Sequence, residues 1–168
     1  MNIILVEYPK YLIYLSNNME PRQIYDNSLR VYDWLPLKIK IPTKNIFIYS
    51  RSLGISLAIY LSSQRNVNTL FLISAFTTMK DIGNDNYCSW LFEDIFPSIN
   101  FIEQGKCPIL LIHGMKDKLI SFEHSQKLEK RAKMGINKCV SLQLNNIMTH
   151  NEYDIQKYII EHIYYFMN

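Results

Sequence analysis

The chain has 168 residues, 48% hydrophobic and 20% charged, with 18 Lys and Arg against 15 Asp and Glu. This is the balance of a globular protein long enough for one domain with a real core, and a net charge of +3 gives no electrostatic reason to expect nucleic acid. No apolar run approaches the roughly 18 residues needed to span a bilayer, and three widely spaced cysteines (Cys88, Cys107, Cys139) match neither a disulfide framework nor a zinc site, which implies a reducing, cytoplasmic setting.

Met1 leads directly into Ile3-Ile4-Leu5-Val6. The run is too short for a signal-peptide core and has no basic segment before it, so it is expected to be a strand. A buried strand this early implies that something upstream is missing. Pro21 then opens a helix whose apolar side carries Ile24, Val31 and Leu35. Ile46 to Tyr49 is the second expected strand, followed by a helix from about Leu53 to Ser63, and Thr69 to Ile73 is the third strand. An irregular stretch of about residues 75–106 holds Trp90, Leu91, Phe92 and Phe96. These aromatics either roof an acyl pocket or pack on the sheet. Ile109 to Ile112 is the fourth strand and Phe122 to Lys133 a helix, whose cations Lys127, Lys130, Arg131 and Lys133 alternate with Glu123 and Glu129 as a solvated face. Cys139 to Leu144 is the fifth strand. The chain closes on a helix with Ile155, Ile159, Ile163 and Phe166 on its apolar face.

The strands are continuously apolar rather than alternating, as suits strands covered on both faces of a parallel sheet. The expectation is therefore an α/β domain over residues 1–168. It has a mostly parallel sheet of about five strands, right-handed crossovers and flanking helices. Functional residues of such sheets sit just past the C-terminal strand ends.

One strand end carries Ser50-Arg51-Ser52-Leu53-Gly54 between an apolar strand and a helix. The nucleophile elbow of α/β hydrolases reads Gly-x-Ser-x-Gly in that context, on a sharp strained turn that lifts the central hydroxyl clear of the sheet. Here Gly54 is kept and Ser50 replaces the first glycine. The plainer reading is a helix-capping serine. A hydroxyl is a poor nucleophile at neutral pH and needs a base oriented by an acid, in the chain order Ser, Asp or Glu, His. Asp117 follows the fourth strand and His150 the fifth. Either residue alone reads as a turn or cap. Three residue types in the required order, each at a separate strand end, point to a catalytic triad of Ser52, Asp117 and His150. His113 is expected to pack against its loop, and His124 and His162 to be surface or flanking residues on helices.

Ser50-Arg51-Ser52-Leu53-Gly54 resembles the Gly-Arg-Ser-Leu-Gly elbow of the α/β-hydrolase group that includes the alpha/beta hydrolase domain-containing protein 17 depalmitoylases and the Bem-type hydrolases. Val6-Glu7-Tyr8-Pro9, Ile73-Ser74-Ala75-Phe76-Thr77-Thr78, Cys107-Pro108 through His113-Gly114 with Asp117, Phe122-Glu123-His124-Ser125 and Thr149-His150-Asn151 also resemble segments of that group. The resemblance implies Ser52 as nucleophile, His150 as general base and acid, and Asp117 as the orienting acid. It implies the backbone N–H of Leu53 as one oxyanion donor, and a palmitoyl-protein thioesterase activity on an acylated protein or small ester, with no metal or cofactor. Lys10 and Leu12 replace glycines of the group. The group's fold also has three further strands upstream, one of which ends in the loop that donates the other half of the oxyanion hole. The expectation is thus a partial fold lacking those strands, with the first two strands seen here pairing directly. Loss of one oxyanion donor typically costs about 10²–10³ in rate. Membrane association is expected only through an anchoring segment that relatives carry and this chain lacks. The rival expectations are a catalytically impaired remnant serving as a binding module, and a hydrolase of other specificity, such as a small-ester lipase or an aminopeptidase-like enzyme.

Overall fold

The computed structural model describes residues 2–6, 21–85, 96–136 and 139–168. Its centre is a four-stranded parallel sheet: β1 (Phe47–Arg51), β2 (Thr69–Ile73), β3 (Ile109–Gly114) and β4 (Val140–Asn145), in the spatial order β1-β2-β3-β4. Arg51 pairs with Ile73, Ile73 with Ile112, and Ile112 with Gln143, so the strands end nearly level.

Successive side chains of a strand point to opposite faces, and here both faces are covered. On one face Leu70, Leu72, Ile109 and Leu111 form a core with Ile55 and Ile59 of α2 (Gly54–Gln64) and Leu128 and Ala132 of α5 (Glu123–Met134). On the other, Phe71, Ile73, Leu110 and Ile112 meet Met148, Ile159, Tyr158, Ile163 and Phe166. Those last four come from the C-terminal helix, which opens with a π-helical turn (Gln156–Ile160) and continues as α6 (Glu161–Met167). The result is a helix–sheet–helix sandwich. Every residue of β2 and β3 is buried, which explains their unbroken apolar runs. Each fully buried Leu or Ile contributes about 1.5–3 kcal/mol of transfer free energy.

The helix α1 (Pro21–Trp34) packs on α2 and β1 through Leu29, Tyr32 and the following Leu35. A short α3 (Met79–Asp85) and α4 (Ser98–Phe101) lie in the segment between β2 and β3. Among the described residues no helix is long and apolar enough to cross a membrane.

Three differences from the sequence reading have physical causes. Residues 2–6 form no strand and are exposed, so among the described residues the sheet has four strands where about five were expected, and the expected direct pairing with β1 does not occur there. Four apolar residues carry no periodicity that distinguishes a strand from an irregular segment. Val31 is exposed while Tyr32 is buried, because the face of α1 that meets α2 runs through Leu29, Tyr32 and Leu35. Ile155 is exposed, the buried face of the last helix beginning at Ile159. Phe96 packs into the core with Phe76 and Ile120, whereas Trp90, Leu91 and Phe92 lie outside the described residues.

Candidate active site

Three loops meet at the C-terminal edge of the sheet. The first joins β1 to α2 and has Ser52 at its apex. Ser52 has φ 51°, the left-handed region that side-chain-bearing residues seldom occupy. Its amide donates to the Ile73 carbonyl at 3.1 Å, and its carbonyl accepts from Ile55 N–H at 3.0 Å. The chain thus leaves the strand, turns over Ser52 and enters the helix within two residues. This is the strained strand-to-helix geometry that presents a hydroxyl above a sheet. Leu53 follows with helical angles at the N-terminal end of α2, where helix geometry leaves amides without intrahelical acceptors.

The second loop follows β3. Asp117 has a fully buried side chain, with Oδ1 accepting from the amides of Leu119 and Ile120, both at 2.9 Å. Oδ2 accepts from His150 Nδ1 at 2.7 Å and lies 3.5 Å from His113 Nε2. Burial by itself pushes the carboxyl up. The hydrogen bonds from His113, the Ile120 amide and His150 outweigh it and hold the group well below the usual carboxylate range. Asp117 is therefore a buried carboxylate. A carboxylate only accepts, so Nδ1 of His150 carries the proton and Nε2 is left as the basic nitrogen.

The third loop follows β4 and carries His150. Asn145 Oδ1 accepts from the amides of Ile147 and Met148 at 2.9 and 3.0 Å, turning the chain back over β3. Met148 is fully buried in the core, and its carbonyl accepts from Lys116 N–H at 3.1 Å. Gly114 makes this crossing possible. A Cβ there would lie 2.1 Å from the Met148 carbonyl oxygen, so no larger residue fits while the loop runs where it does.

The structure thus brings Asp117 and His150 into contact and sets Ser52 at the end of a strand two positions along the same sheet edge. Among the described residues no hydrogen bond joins Ser52 Oγ to His150. His113 is buried as expected, with Nε2 donating to the Ile120 carbonyl at 3.0 Å and Nδ1 bonded to Ser125 Oγ at 2.6 Å. It braces the Asp117 loop from below.

His124 departs from its expected surface position. It is buried, with Nδ1 bonded to Thr77 Oγ1 at 2.8 Å. His124, Leu128 and Ala132 stand four residues apart on the buried side of α5, a period the sequence displays. His162 is half-buried on α6. Burial pushes the Cys107 thiol up to about 11, which keeps it from being a thiolate nucleophile.

The sequence reading missed two contributors. The hydrogen bond of Ser125 to His113 has no signature in the sequence. Arg51 occupies the free position of Ser-x-Ser-x-Gly, so the motif says nothing of it. Its Nη2 donates to the His150 carbonyl and to Asn151 Oδ1 at 2.7 Å.

Among known proteins, alpha/beta hydrolase domain-containing protein aho-3 of Caenorhabditis elegans is 24% identical over 135 residues, covering 80% of this chain and 40% of that protein. Human alpha/beta hydrolase domain-containing protein 17B is 30% identical over 106 residues, covering 61% of this chain and 36% of that one. The chain therefore spans less than half the length of these relatives. No protein-family model matches it. Among solved structures, an esterase of Pyrococcus furiosus superposes with a TM-score of 0.68 at 20% identity, over 86% of this chain and 60% of that one, which establishes the fold. The chain thus has the α/β-hydrolase fold, and its sequence is similar to the alpha/beta hydrolase domain-containing protein 17 group.

Proposed function

We propose that the chain is a serine hydrolase that cleaves an ester or thioester through an acyl-enzyme on Ser52. One observation carries this reading. A serine on a left-handed strand-to-helix turn shares a sheet edge with a histidine whose Nδ1 is bonded to a buried, ionised carboxylate. Either feature alone has ordinary explanations; together they supply a nucleophile, a base and an orienter.

In the proposed reaction, His150 Nε2 accepts the Ser52 proton as Oγ attacks the acyl carbonyl. Asp117 fixes the tautomer and stabilises the imidazolium that forms. The Leu53 N–H donates to the oxyanion, an interaction that typically contributes about 10²–10³ in rate. The imidazolium then returns its proton to the leaving alcohol or thiol. In the second half, His150 activates water, which releases the acid and restores Ser52. The nucleophile–base hydrogen bond of such sites is often long without substrate and tightens when one binds. This accords with the lack of a Ser52–His150 bond here. A palmitoyl thioester on a protein is the substrate class that the sequence resemblance favours.

The test is hydrolysis of an acyl series, from acetyl to palmitoyl, presented as nitrophenyl esters and as thioesters, beside Ser52→Ala. The expected outcome is turnover that depends on Ser52 and favours long-chain thioesters. Ser52-dependent turnover of short esters alone would refute the thioesterase assignment and keep the hydrolase. Folded protein with no turnover above Ser52→Ala would overturn both and leave a binding role.

A further inference from the structure

We infer that Arg51 is a positioning residue that fastens the His150 loop to the strand bearing Ser52. The inference rests on the hydrolase reading for its kinetic consequence, but its structural content stands apart from it.

The sheet order creates the need. β1, which ends at Arg51 directly before Ser52, and β4, which leads to His150, are at opposite edges of the four-stranded sheet. Three interstrand spacings separate them, roughly 14 Å. The loop after β4 must reach back over β3 and β2 to bring an imidazole toward Ser52. Its first part is held by the Asn145 turn and by Met148 against Gly114. The imidazole is held midway by Asp117. These contacts fix the loop to β3 and leave its distance from β1 to be set by something else.

Arg51 supplies that contact from the β1 side. One Nη2 proton goes to the His150 carbonyl and the other to Asn151 Oδ1 at 2.7 Å, so both donors of that nitrogen engage consecutive loop residues. The guanidinium carbon also lies 5.9 Å from the centre of the Tyr153 ring, within cation–π range. Residues 51 and 150 are 99 positions apart, and Arg51 directly precedes the serine. A displacement of the His150 backbone relative to Ser52 must therefore break charge-assisted hydrogen bonds. A lysine would keep the charge but present no planar fork to the carbonyl and the amide oxygen together.

The experiment compares wild type with Arg51→Ala and Arg51→Lys by two readouts. The first is steady-state turnover on the best ester, with and without added guanidinium ion. The expected result is a kcat reduced about 10- to 100-fold in Arg51→Ala, the scale of a misplaced catalytic group. KM should stay within about twofold, guanidinium should restore part of the rate, and Arg51→Lys should be intermediate. The second is the far-downfield NMR resonance of the His150 Nδ1 proton, which reads the bond to Asp117 without turnover. It is expected to broaden or disappear in Arg51→Ala while circular dichroism shows a folded chain; should that variant not fold, Arg51→Lys is read instead. An unchanged resonance, or a loss that appears in KM with kcat intact, would overturn the proposal. A wild-type chain with the resonance but no turnover sinks the hydrolase reading instead, and the resonance in the variants then decides this one.

Discussion

The ends of β3 and β1 both carry candidate catalytic groups, and they are built in opposite ways. β3 is buried along its whole length and Asp117 beyond it is held by two amides, His150 and the His113 that Ser125 supports. The carboxylate end is overdetermined by the core. β1 is a partly exposed edge of the described sheet, with Phe47 41% and Tyr49 52% exposed, and Ser52 beyond it sits in a strained left-handed conformation. The serine end depends on few contacts: one amide bond to Ile73, the start of α2 and the Arg51 tie. Orientation of Asp117 and His150, the proposed acid and base, is thus a property of the fold. Presentation of the nucleophile instead costs local strain that the rest of the fold offsets.

Substitutions at the two strand ends should therefore differ in kind and in size. Asp117→Asn has the largest expected effect, a fall in kcat on the order of 10⁴, because an amide can donate to Nδ1 and stabilise the wrong tautomer; kinetics on the ester substrate measure it. Gly114→Ala should come next. Its Cβ would meet the Met148 carbonyl at 2.1 Å, so the loop must shift and carry His150 with it. About 100-fold in kcat is expected, together with a lower urea midpoint.

The remaining effects concern stability. Ser125→Ala leaves His113 Nδ1 without its hydroxyl partner in a fully buried site, for a loss of about 1–3 kcal/mol by denaturant titration. The serine end should behave in the reverse sense. Ser52→Gly removes the penalty of a left-handed side-chain-bearing residue, and after allowance for glycine's greater unfolded-state entropy a gain of about 0.5–1 kcal/mol over wild type is expected. Activity is lost as stability rises. If Ser52→Gly destabilises the chain, the strain account of the β1 end is wrong.

The pH dependence has a definite sign. The Asp117 carboxyl is held below its unfolded value, so it binds a proton less readily in the folded state. Its contribution to stability is full above the unfolded pKa, about 4, and is lost as pH falls below it toward the folded value. Urea midpoints measured from neutral pH into acid should fall less steeply in Asp117→Asn than in wild type.

The elements easiest to read from sequence were those with the strongest cause. The Thr69–Ile73 strand has the bounds expected from five consecutive residues that the core buries on both faces. The turn at Ser52 was legible because strand, turn and helix signals converge on it, and its positive φ is the strain that such a turn requires. Ile3–Val6 misled because apolar composition marks a strand only where an edge receives it, and residues 2–6 meet none among the described residues. His124 was misplaced by weighing its polarity above its spacing from Leu128 and Ala132. Arg51 was invisible for a deeper reason. Its partners are 99 and 100 positions away, and only the sheet order brings them together.

At the centre of the proposed site His150, held by Asp117, activates Ser52. Labelling of the purified chain with a fluorophosphonate probe, beside Ser52→Ala and His150→Ala, tests it most directly. Wild type is expected to be labelled, Ser52→Ala not at all, and His150→Ala much more slowly. Label that persists in Ser52→Ala, or folded wild-type protein that takes up none, would contradict it.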